Sequence, residues 1–259
     1  MTKIAISGKG GVGKTTLAGL LANVYAGRGH EVIAIDADPD ANLASALGFS
    51  EEAAAKIMPI SGLEDLIEER TGAKPGSYGA MFKLNPRVDD IPERFSLKER
   101  GIRLLVMGTV DKGGSGCVCP ESVLLKTLVT HLLLRRDEML ILDMEAGIEH
   151  LGRATASAVD AFIVVVEPGK RSVQTAATVA RLAGDIGINR VFVVANKIRS
   201  EADREFIRAN TPGLEVIGFL PMSPKAIEAD LQGKTVFDLD PELVAQAEQI
   251  VDRLDNLGD

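Results

Sequence analysis

The sequence has few cysteines, no long apolar run and no excess of positive charge. Only two cysteines occur among 259 residues, which excludes a disulfide framework and indicates a reducing compartment. No stretch approaches the ~18 consecutive apolar residues of a membrane span, and the chain opens on a strand pattern, not on a signal peptide. With 37 acidic and 29 basic residues, and a net charge of −8, the chain is poorly suited to coat DNA or an anionic membrane. We therefore expect a cytoplasmic protein that binds neither nucleic acid nor membrane.

The hydrophobic residues, 46% of the chain, are concentrated in short runs rich in β-branched side chains and separated by helical patterns. The runs cover residues 3–7, 31–35, 102–107, 139–143, 161–167, 190–196 and 215–220. Their continuous apolarity and their alternation with helices predict an α/β fold: a doubly wound, mostly parallel β-sheet with helices on both faces. Residues 57–101, which prolines and glycines interrupt, are predicted to form a long crossover with a short helix at 63–70. The length suits one domain spanning residues 1–259.

A glycine-rich loop follows the first apolar run and precedes a helical pattern. It fits the spacing G-x-x-x-x-G-K-[ST] with the residues Gly8, Lys9, Gly10, Gly11, Val12, Gly13, Lys14, Thr15 and Thr16. In such a loop the backbone N–H groups and the helix N-terminus bind phosphate oxygens, Lys14 supplies charge for the β- and γ-phosphates, and the Thr15 hydroxyl binds magnesium. The spacing therefore predicts a site for a nucleoside triphosphate with Mg²⁺. Lys9 is not required by this pattern and is repelled by Lys14, so we expect it to have a separate use.

Acidic residues follow two of the predicted strands, at the edge of the sheet where the glycine-rich loop lies. The residues concerned are Asp36, Asp38 and Asp40 after one strand, and Asp143 at the end of another. Carboxylates facing a triphosphate would repel it unless they held magnesium through water, paired with a lysine or oriented an attacking water. Asp143 suits the magnesium shell, and the following Gly147 allows a hinged loop whose N–H meets the γ-phosphate. The alternative for the first group is an Asx turn that caps the next helix, a role that Asp40 fits better than Asp38.

The two cysteines, Cys117 and Cys119, lie one residue apart in a glycine-rich loop ahead of a predicted helix at 121–135. Burial in the core is the commonest fate of a free cysteine, but this loop is a poor core, and a disulfide across so short a ring would be strained. Thiols at a helix N-terminus are favoured as thiolates, which bind metal or react. A zinc or soft-metal site usually needs four ligands, which a twofold dimer would supply from two copies of each cysteine. The pattern predicts a shared thiolate metal site or a redox pair.

The loop with its second lysine resembles the deviant Walker A class of P-loop ATPases, which includes nitrogenase iron protein, MinD and ParA and shares the signature K-G-G-x-G-K-[ST]. The resemblance implies that Lys9 reaches the partner's nucleotide across a dimer interface. It also implies that Asp38 positions the attacking water and that Asp36 contacts the phosphate loop and the magnesium shell. On this basis we expect Lys9, Lys14 and Asp38 to be the catalytic residues.

The same class recognises its base through an asparagine amide, and Asn196-Lys197 resembles that site. Pro221 and Met222 follow the last predicted strand, where the class places a loop that packs against the base. The Asn-Lys-x-Asp pattern of guanine-specific P-loop proteins is absent from the sequence. The resemblance therefore implies ATP and ADP as the nucleotides.

Three further motifs narrow the resemblance to the CooC-type accessory ATPases of nickel-containing carbon monoxide dehydrogenase: Cys-x-Cys, Asp-Pro-Asp, and Ala-Gly-Ile-Glu-His-Leu at 146–151. The similarity spans essentially the whole chain. It implies a homodimer that binds Ni²⁺ or Zn²⁺ through Cys117 and Cys119 and uses ATP with Mg²⁺ in nickel-cluster assembly, with carbon monoxide dehydrogenase as its client. ATP would draw the subunits together, so that the metal site forms or opens with the cycle. A relative that serves acetyl-CoA synthase shares these motifs, which leaves the client open.

Two other functions stay open at this point. A positioning ATPase of the MinD or ParA type would use a basic membrane helix or a basic DNA-binding surface. Here the last predicted helix, 241–257, has mostly acids outside an apolar stripe that is most simply core, formed by Leu243, Val244, Ala247, Ile250, Val251 and Leu254. An iron–sulfur electron carrier such as nitrogenase iron protein also bridges its dimer with two cysteines per chain, but from two separate loops, and its cluster would absorb visible light.

Overall fold

The computed structural model describes residues 2–77, 81–108, 119–136, 138–145, 147–148, 151 and 153–256. These residues form an eight-stranded sheet in the order β3-β4-β2-β5-β1-β6-β7-β8. The strands are β1 (Lys3–Gly8), β2 (Val32–Ala37), β3 (Leu97–Glu99), β4 (Ile102–Val106), β5 (Met139–Met144), β6 (Ala161–Val166), β7 (Val191–Ile198) and β8 (Glu215–Pro221). Neighbouring strands are parallel except for β3 and β4, which are antiparallel. The predicted mostly parallel α/β sheet is confirmed.

Helices connect the strands and cover the sheet. They are α1 (Lys14–Gly27), α2 (Leu43–Leu47), α3 (Glu51–Ala54), α4 (Glu64–Thr71), α5 (Ile91–Phe95), α6 (Pro120–Arg135), α7 (Arg153–Ala156), α8 (Lys170–Ile186), α9 (Glu201–Asn210), α10 (Pro224–Gln232), α11 (Val236–Leu239) and α12 (Pro241–Asn256), with a 3₁₀ turn at Ile60–Gly62. The helices predicted within 63–70 and 121–135 correspond to α4 and α6.

The central strands are buried on both faces, which explains their continuous apolar sequences. Side chains alternate along a strand, so each strand contributes to two cores. Ile4 and Ile6 of β1 belong to the core under α1, α2 and α12, whereas Ala5 belongs to the core under α4, α6 and α8. All three residues are fully buried. This double burial fixes the strand ends, and the loops that follow them, along one edge of the sheet.

Residues 57–101 contain more regular structure than predicted. Beyond α4, they include the short helix α5 and the edge strand β3, which forms a hairpin with β4. The hairpin turns through Arg100 and Gly101, whose φ angles of 54° and 81° are both left-handed, as a type I′ turn requires. Arg100 also donates hydrogen bonds of 2.8 and 2.6 Å to the carboxylate of Asp238. The sequence did not predict β3 because none of its three residues is fully buried, so the strand leaves no apolar run.

The apolar stripe of the last helix is core, as predicted. Five residues of α12 are buried: Leu243, Ala247, Ile250, Val251 and Leu254. They pack with β1 and α1 on one face of the sheet. Within the described ranges, no helix combines the length and the apolar composition needed to cross a membrane.

Candidate nucleotide-binding site

The glycine-rich loop joins the end of β1 to the start of α1, in the strand–loop–helix setting predicted. Two of its glycines are required by close contacts. A Cβ on Gly8 would lie 2.5 Å from the Val165 carbonyl oxygen, and one on Gly13 would lie 2.2 Å from the Asn196 side-chain nitrogen. Gly13 is also left-handed, with φ of 97°, as it leads into α1. The loop is therefore shaped by the ends of β6 and β7 as well as by its own sequence.

Lys14 and Asp38 lie together at the base of this loop. The Lys14 side chain is almost fully buried, and its Nζ is 3.6 Å from Oδ2 of Asp38. Burying an ammonium is costly unless an anion accompanies it, so the carboxylate is a necessary neighbour. The pair brings the predicted water-positioning residue next to the predicted phosphate-binding lysine.

Two buried carboxylates, Asp36 and Asp143, occupy matching positions on the adjacent strands β2 and β5. Burial raises the pKa of Asp143 to about 7, helped by the charge of Asp36 and opposed by the Thr15 hydroxyl and the Lys14 ammonium. Burial likewise raises the pKa of Asp36 to about 6, opposed by hydrogen bonds from the backbone N–H groups of Leu43 and Asp38. Both carboxyls are thus harder to ionise than ordinary aspartates.

The surroundings of Asp143 fit a magnesium ion. Asp143 is fully inaccessible to solvent, and although the Thr15 hydroxyl lies near its carboxylate, neither oxygen has a hydrogen bond of ordinary geometry within the described residues. A buried carboxylate without a partner is costly, and a hard cation is one of the few groups that satisfies it. Asp143 and Thr15 would hold the ion. Their assignment as magnesium residues stays a prediction.

The alternative of a capping aspartate after β2 is met in part, by Asp36 and not by Asp40. The Leu43 N–H, at the start of α2, donates a 2.9 Å hydrogen bond to Asp36 Oδ2. The backbone of Asp40 instead donates to Asp38 Oδ1 at 3.1 Å and accepts from the Asn42 side chain at 2.9 Å. The chain folds back over the end of β2, so the capping carboxylate comes from the strand itself. This arrangement fixes the orientation of the Asp36 carboxylate.

Asn196 and Lys197 contact the backbone of the phosphate loop. The Asn196 amide donates a 2.8 Å hydrogen bond to the Val12 carbonyl and accepts one of 2.8 Å from the Lys197 N–H. The Lys197 ammonium donates to the Gly11 carbonyl at 2.6 Å and pairs with Glu167 at 2.8 Å. Their predicted role in base binding stays a prediction, and the observed contacts are with the loop.

The other predicted base-contacting residues lie at the end of β8, beside β7. Pro221 is in register with Ile198, and the Met222 N–H donates to the Ile198 carbonyl at 2.8 Å. Met222 is 44% exposed, so its side chain is available to cover a ligand. The structure therefore brings Pro221 and Met222 to the strand that carries Asn196.

Gly147 lies next to the end of β1 because the segment after β5 is held by Ser7. The Ser7 hydroxyl is 2.9 Å from the Glu145 carbonyl and 3.0 Å from the Gly147 carbonyl. The Gly147 N–H, predicted to meet a γ-phosphate, here donates to the Glu145 carbonyl at 2.8 Å. Ala146, Glu149 and His150 of the motif at 146–151 lie outside the described residues.

The phosphate loop has two parts that we name by their residues: the tip, Lys9 and Gly10, and the floor, Gly11 to Lys14. Carbonyl or side-chain contacts to Asp38, Asn196 and Lys197 hold the floor. The Lys9 side chain is half-buried and forms no ion pair or hydrogen bond with any residue that the structure describes. Gly10 is exposed, with no atom within 4 Å of the place where a Cβ would be.

The cysteine loop is described only at its end. Cys117 lies outside the described residues, whereas Cys119 is partly exposed and directly precedes α6. The Cys119 Sγ is 3.0 Å from the Ser122 hydroxyl. In the part of the chain that is described, no three histidine, cysteine or acidic side chains are grouped to hold a metal ion. The predicted Cys117–Cys119 metal site therefore stays a prediction.

Glu167 is a site residue that the sequence reasoning missed. Glu167 directly follows β6, just as Asp36 and Asp143 lie near the ends of β2 and β5. An acidic residue at the end of a buried strand was therefore the sequence signal that could have identified it. Its role depends on a long-range pairing with Lys197, which no local pattern displays.

A glycine loop between strand and helix, a buried lysine and carboxylates on the neighbouring strands define a P-loop nucleotide-binding protein. Residues 3–236 match the model for the CobQ/CobB/MinD/ParA nucleotide-binding domain, and the chain belongs to this family. Within it, the chain is 50% identical over 239 residues to the carbon monoxide dehydrogenase accessory protein CooC of Rhodospirillum rubrum, covering 92% of this chain and 90% of CooC. It is 49% identical over 251 residues to an uncharacterized ATP-binding protein of Methanocaldococcus jannaschii, covering 96% of this chain and 95% of that protein.

Solved structures share the fold at low identity. MinD of Aquifex aeolicus, in its complex with MinC, matches with a TM-score of 0.71 and 22% identity over 99% of this chain and 96% of that chain. MinD of Pyrococcus horikoshii, complexed with Mg-ADP, matches with a TM-score of 0.64 and 19% identity over 100% of this chain and 98% of that chain. The family match and the relatives confirm the predicted CooC-type resemblance and the prediction of an ATPase, and the solved structures confirm the fold.

Proposed function

We propose that this protein is an ATP-dependent maturation factor for nickel-containing carbon monoxide dehydrogenase. The observation that carries the proposal is the 50% identity to CooC, which extends over nine-tenths of both chains. The family match, over residues 3–236, includes the phosphate loop, both strand-end carboxylates and the cysteine loop. Acetyl-CoA synthase is the second candidate client, because an accessory ATPase for it shares the same motifs.

The floor of the phosphate loop supports hydrolysis of ATP. Lys14 would stabilise the charge of the β- and γ-phosphates, and magnesium, held by Asp143 and Thr15, would neutralise part of the same charge. The phosphates would compete with Asp38 for Lys14, since the two side chains are only 3.6 Å apart. Release from Lys14 would leave Asp38 free to accept a hydrogen bond from the attacking water. ATP binding would thereby prepare its own catalytic residue.

The tip supports action as a homodimer. The Lys9 side chain is unpaired within the described residues, whereas Lys14, the other lysine of the same loop, is buried and paired. A second positive charge there is useful if it meets the phosphates of a neighbouring subunit, as an arginine finger does in other P-loop enzymes. We infer that two protomers bind ATP face to face, each supplying Lys9 to the other.

The cysteines support handling of nickel or zinc as cargo. Cys119 is the residue directly before α6, and its side chain is partly exposed, so its sulfur is accessible to a metal ion. One chain offers two sulfur ligands, and two chains offer the four that a tetrahedral site needs. We infer that Cys117 and Cys119 of both subunits form one metal site, which the ATP cycle opens and closes.

Equilibrium dialysis with Ni²⁺ and Zn²⁺ tests the metal site. We expect about one ion per dimer, lost in Cys117→Ser and in Cys119→Ser. Ser122→Ala is the matched control, because it removes the 3.0 Å contact to Cys119 but leaves both thiols. Full metal binding by either cysteine variant would disprove this site while leaving the ATPase assignment intact.

The client is tested by co-expression. Carbon monoxide dehydrogenase co-expressed with the wild-type protein should contain nickel and be active. Co-expression with the Asp38→Asn variant should leave most of the enzyme without nickel. Acetyl-CoA synthase produced in parallel separates the two candidate clients. Equal nickel content of carbon monoxide dehydrogenase with and without this protein, at limiting nickel, would contradict the proposal.

A further inference from the structure

The end of β7 departs from regular strand geometry at Lys197. Its pairing with β8 is irregular between Ala195 and Ile198, and Lys197 has a φ of 59°. A residue with a Cβ rarely adopts this left-handed conformation, which costs free energy and persists where surrounding contacts enforce it. Among the described residues other than glycine, only Arg100, in a hairpin turn, shares it. The contacts of the Lys197 side chain should therefore explain why the backbone adopts this conformation.

Those contacts link three separate parts of the chain. The Lys197 ammonium donates to the Gly11 carbonyl at 2.6 Å and to the Glu167 carboxylate at 2.8 Å. Glu167 is fixed in turn, because its N–H donates to the hydroxyl of the buried Ser172 in α8 at 3.0 Å. The bend at Lys197 thus turns its side chain towards the phosphate loop, and Glu167 holds it there.

Because the peptide unit is planar, these contacts determine which way the N–H groups of the phosphate loop point. In a trans peptide the carbonyl and the following N–H point in opposite directions. Lys197 binds the Gly11 carbonyl, and Asn196 binds the Val12 carbonyl at 2.8 Å. The N–H groups of Val12 and Gly13 consequently point away from β7, and the Val12 N–H makes a long hydrogen bond of 3.4 Å to the Lys9 carbonyl, which a phosphate oxygen would replace. Backbone N–H groups so oriented are the ones that bind phosphate oxygens in a P-loop.

We propose that Glu167 and Lys197 form a clamp that positions the floor of the phosphate loop, and so set the affinity for phosphates independently of the base. The clamp rests on the proposed binding of ATP and adds Glu167 to its machinery as a positioning residue. An ion pair this exposed, with about a third of each side chain accessible, contributes little by itself. Its effect comes from fixing a flexible lysine where it can hold one carbonyl.

A probe without a base tests the clamp. The dissociation constants of magnesium tripolyphosphate and of MgADP are measured for wild type, Lys197→Met, Glu167→Gln and the double variant. Each single variant should weaken both ligands by the same factor, on the order of tenfold. The double variant should bind no worse than the weaker single variant, because both substitutions break one connection. Lys197→Arg, which keeps the charge and donors, should recover most of the affinity.

Arg181→Met is the matched control, since it breaks an exposed ion pair of 3.2 Å with Asp185 on the surface of α8. Its affinities should equal those of wild type. If Lys197 serves the base alone, tripolyphosphate binding will be unchanged in Lys197→Met while ADP binding falls, and the clamp is wrong. Additive losses in the double variant would also overturn it. Failure of wild type to bind either ligand would instead contradict the proposed nucleotide-binding role of these residues. Unfolding midpoints distinguish all of these results from misfolding.

Discussion

The floor and the tip of the phosphate loop are adjacent in sequence but are held in different ways. The floor is tied to two other elements: Lys14 pairs with Asp38 after β2, and the carbonyls of Gly11 and Val12 are bound by residues of β7. At the tip, the Lys9 side chain has no such contact within the described residues. One chain thus determines the geometry of the floor but leaves the tip incomplete.

This difference separates two steps of the proposed reaction. Groups that are already oriented bind a ligand without a further ordering cost, so the floor suits nucleotide binding by a single protomer. Lys9, whose side chain has no partner in the described part of the chain, would contribute where a second subunit brings it a negative charge. We therefore expect substitutions in the floor to reduce binding, and substitutions at the tip to reduce hydrolysis alone.

The largest effect should come from Lys14→Met. The substitution removes the buried charge for the phosphates, so we expect ATP hydrolysis to be lost and MgADP affinity to fall on the order of a hundredfold. Calorimetric titration and a phosphate-release assay measure the two quantities. Lys56→Met, at an exposed lysine, is the control. If Lys14→Met bound MgADP with wild-type affinity, the floor would have no role in nucleotide binding.

Lys9→Ala should separate binding from hydrolysis. We expect kcat to fall by about 10³, as for loss of an arginine finger, while the dissociation constant of ATP changes by less than about threefold. Single-turnover hydrolysis and ATP titration are the measurements. Normal hydrolysis by this variant would show that the tip has no catalytic role.

Gly13→Ala should weaken nucleotide binding about tenfold, because the new Cβ would lie 2.2 Å from the Asn196 amide and would strain a φ of 97°. The amide must then move away from the Val12 carbonyl. Gly27→Ala, at a helical glycine with no atom within 4 Å of the place a Cβ would take, is the matched control and should bind normally. Equal affinities of the two variants would mean that the floor is not held through Asn196.

A last effect, on stability and its pH dependence and not on activity, concerns Asp143. Burial raises the pKa of Asp143 to about 7, so the folded protein keeps a proton there at pH values where the unfolded chain has lost it. Stability at this site therefore falls as pH rises from about 4 to 7. Asp143→Asn, in chelator and without nucleotide, should be more stable at pH 8 by on the order of 2 kcal/mol, or about 5 °C, and the gain should vanish near pH 4.

Thermal unfolding monitored by circular dichroism at both pH values checks this expectation. Lys9→Ala should leave the unfolding midpoint unchanged at either pH. A pH-independent difference between Asp143→Asn and wild type would show that the carboxylate is not strained by burial.

The sequence predicted the elements whose signals are local. The phosphate loop, the buried strands and the apolar face of α12 each follow from a spacing or a period, and the structure has them at the predicted places. The short edge strand β3 was missed because it buries too little to leave an apolar run.

The long-range contacts at the site could not be predicted from the sequence. The capping role of Asp36 requires the chain to fold back by seven residues onto the strand end. The pairing of Lys197 with Glu167 spans 30 residues. It also depends on a left-handed backbone conformation at Lys197, which the residue type does not predict. Such contacts are consequences of tertiary packing, which places strand ends together without marking them in the local pattern.

The central claim, that the tip completes the floor of a second subunit, is tested most directly by mixing two inactive variants. Lys9→Ala keeps a complete floor, and Asp38→Asn keeps the tip; each is first shown to bind ATP. In an equal mixture about half of the dimers contain one of each, with one complete site out of two, so ATPase activity should return to about a quarter of wild type. Mixed dimers that form with ATP yet show only the activity of the separate variants would contradict the claim.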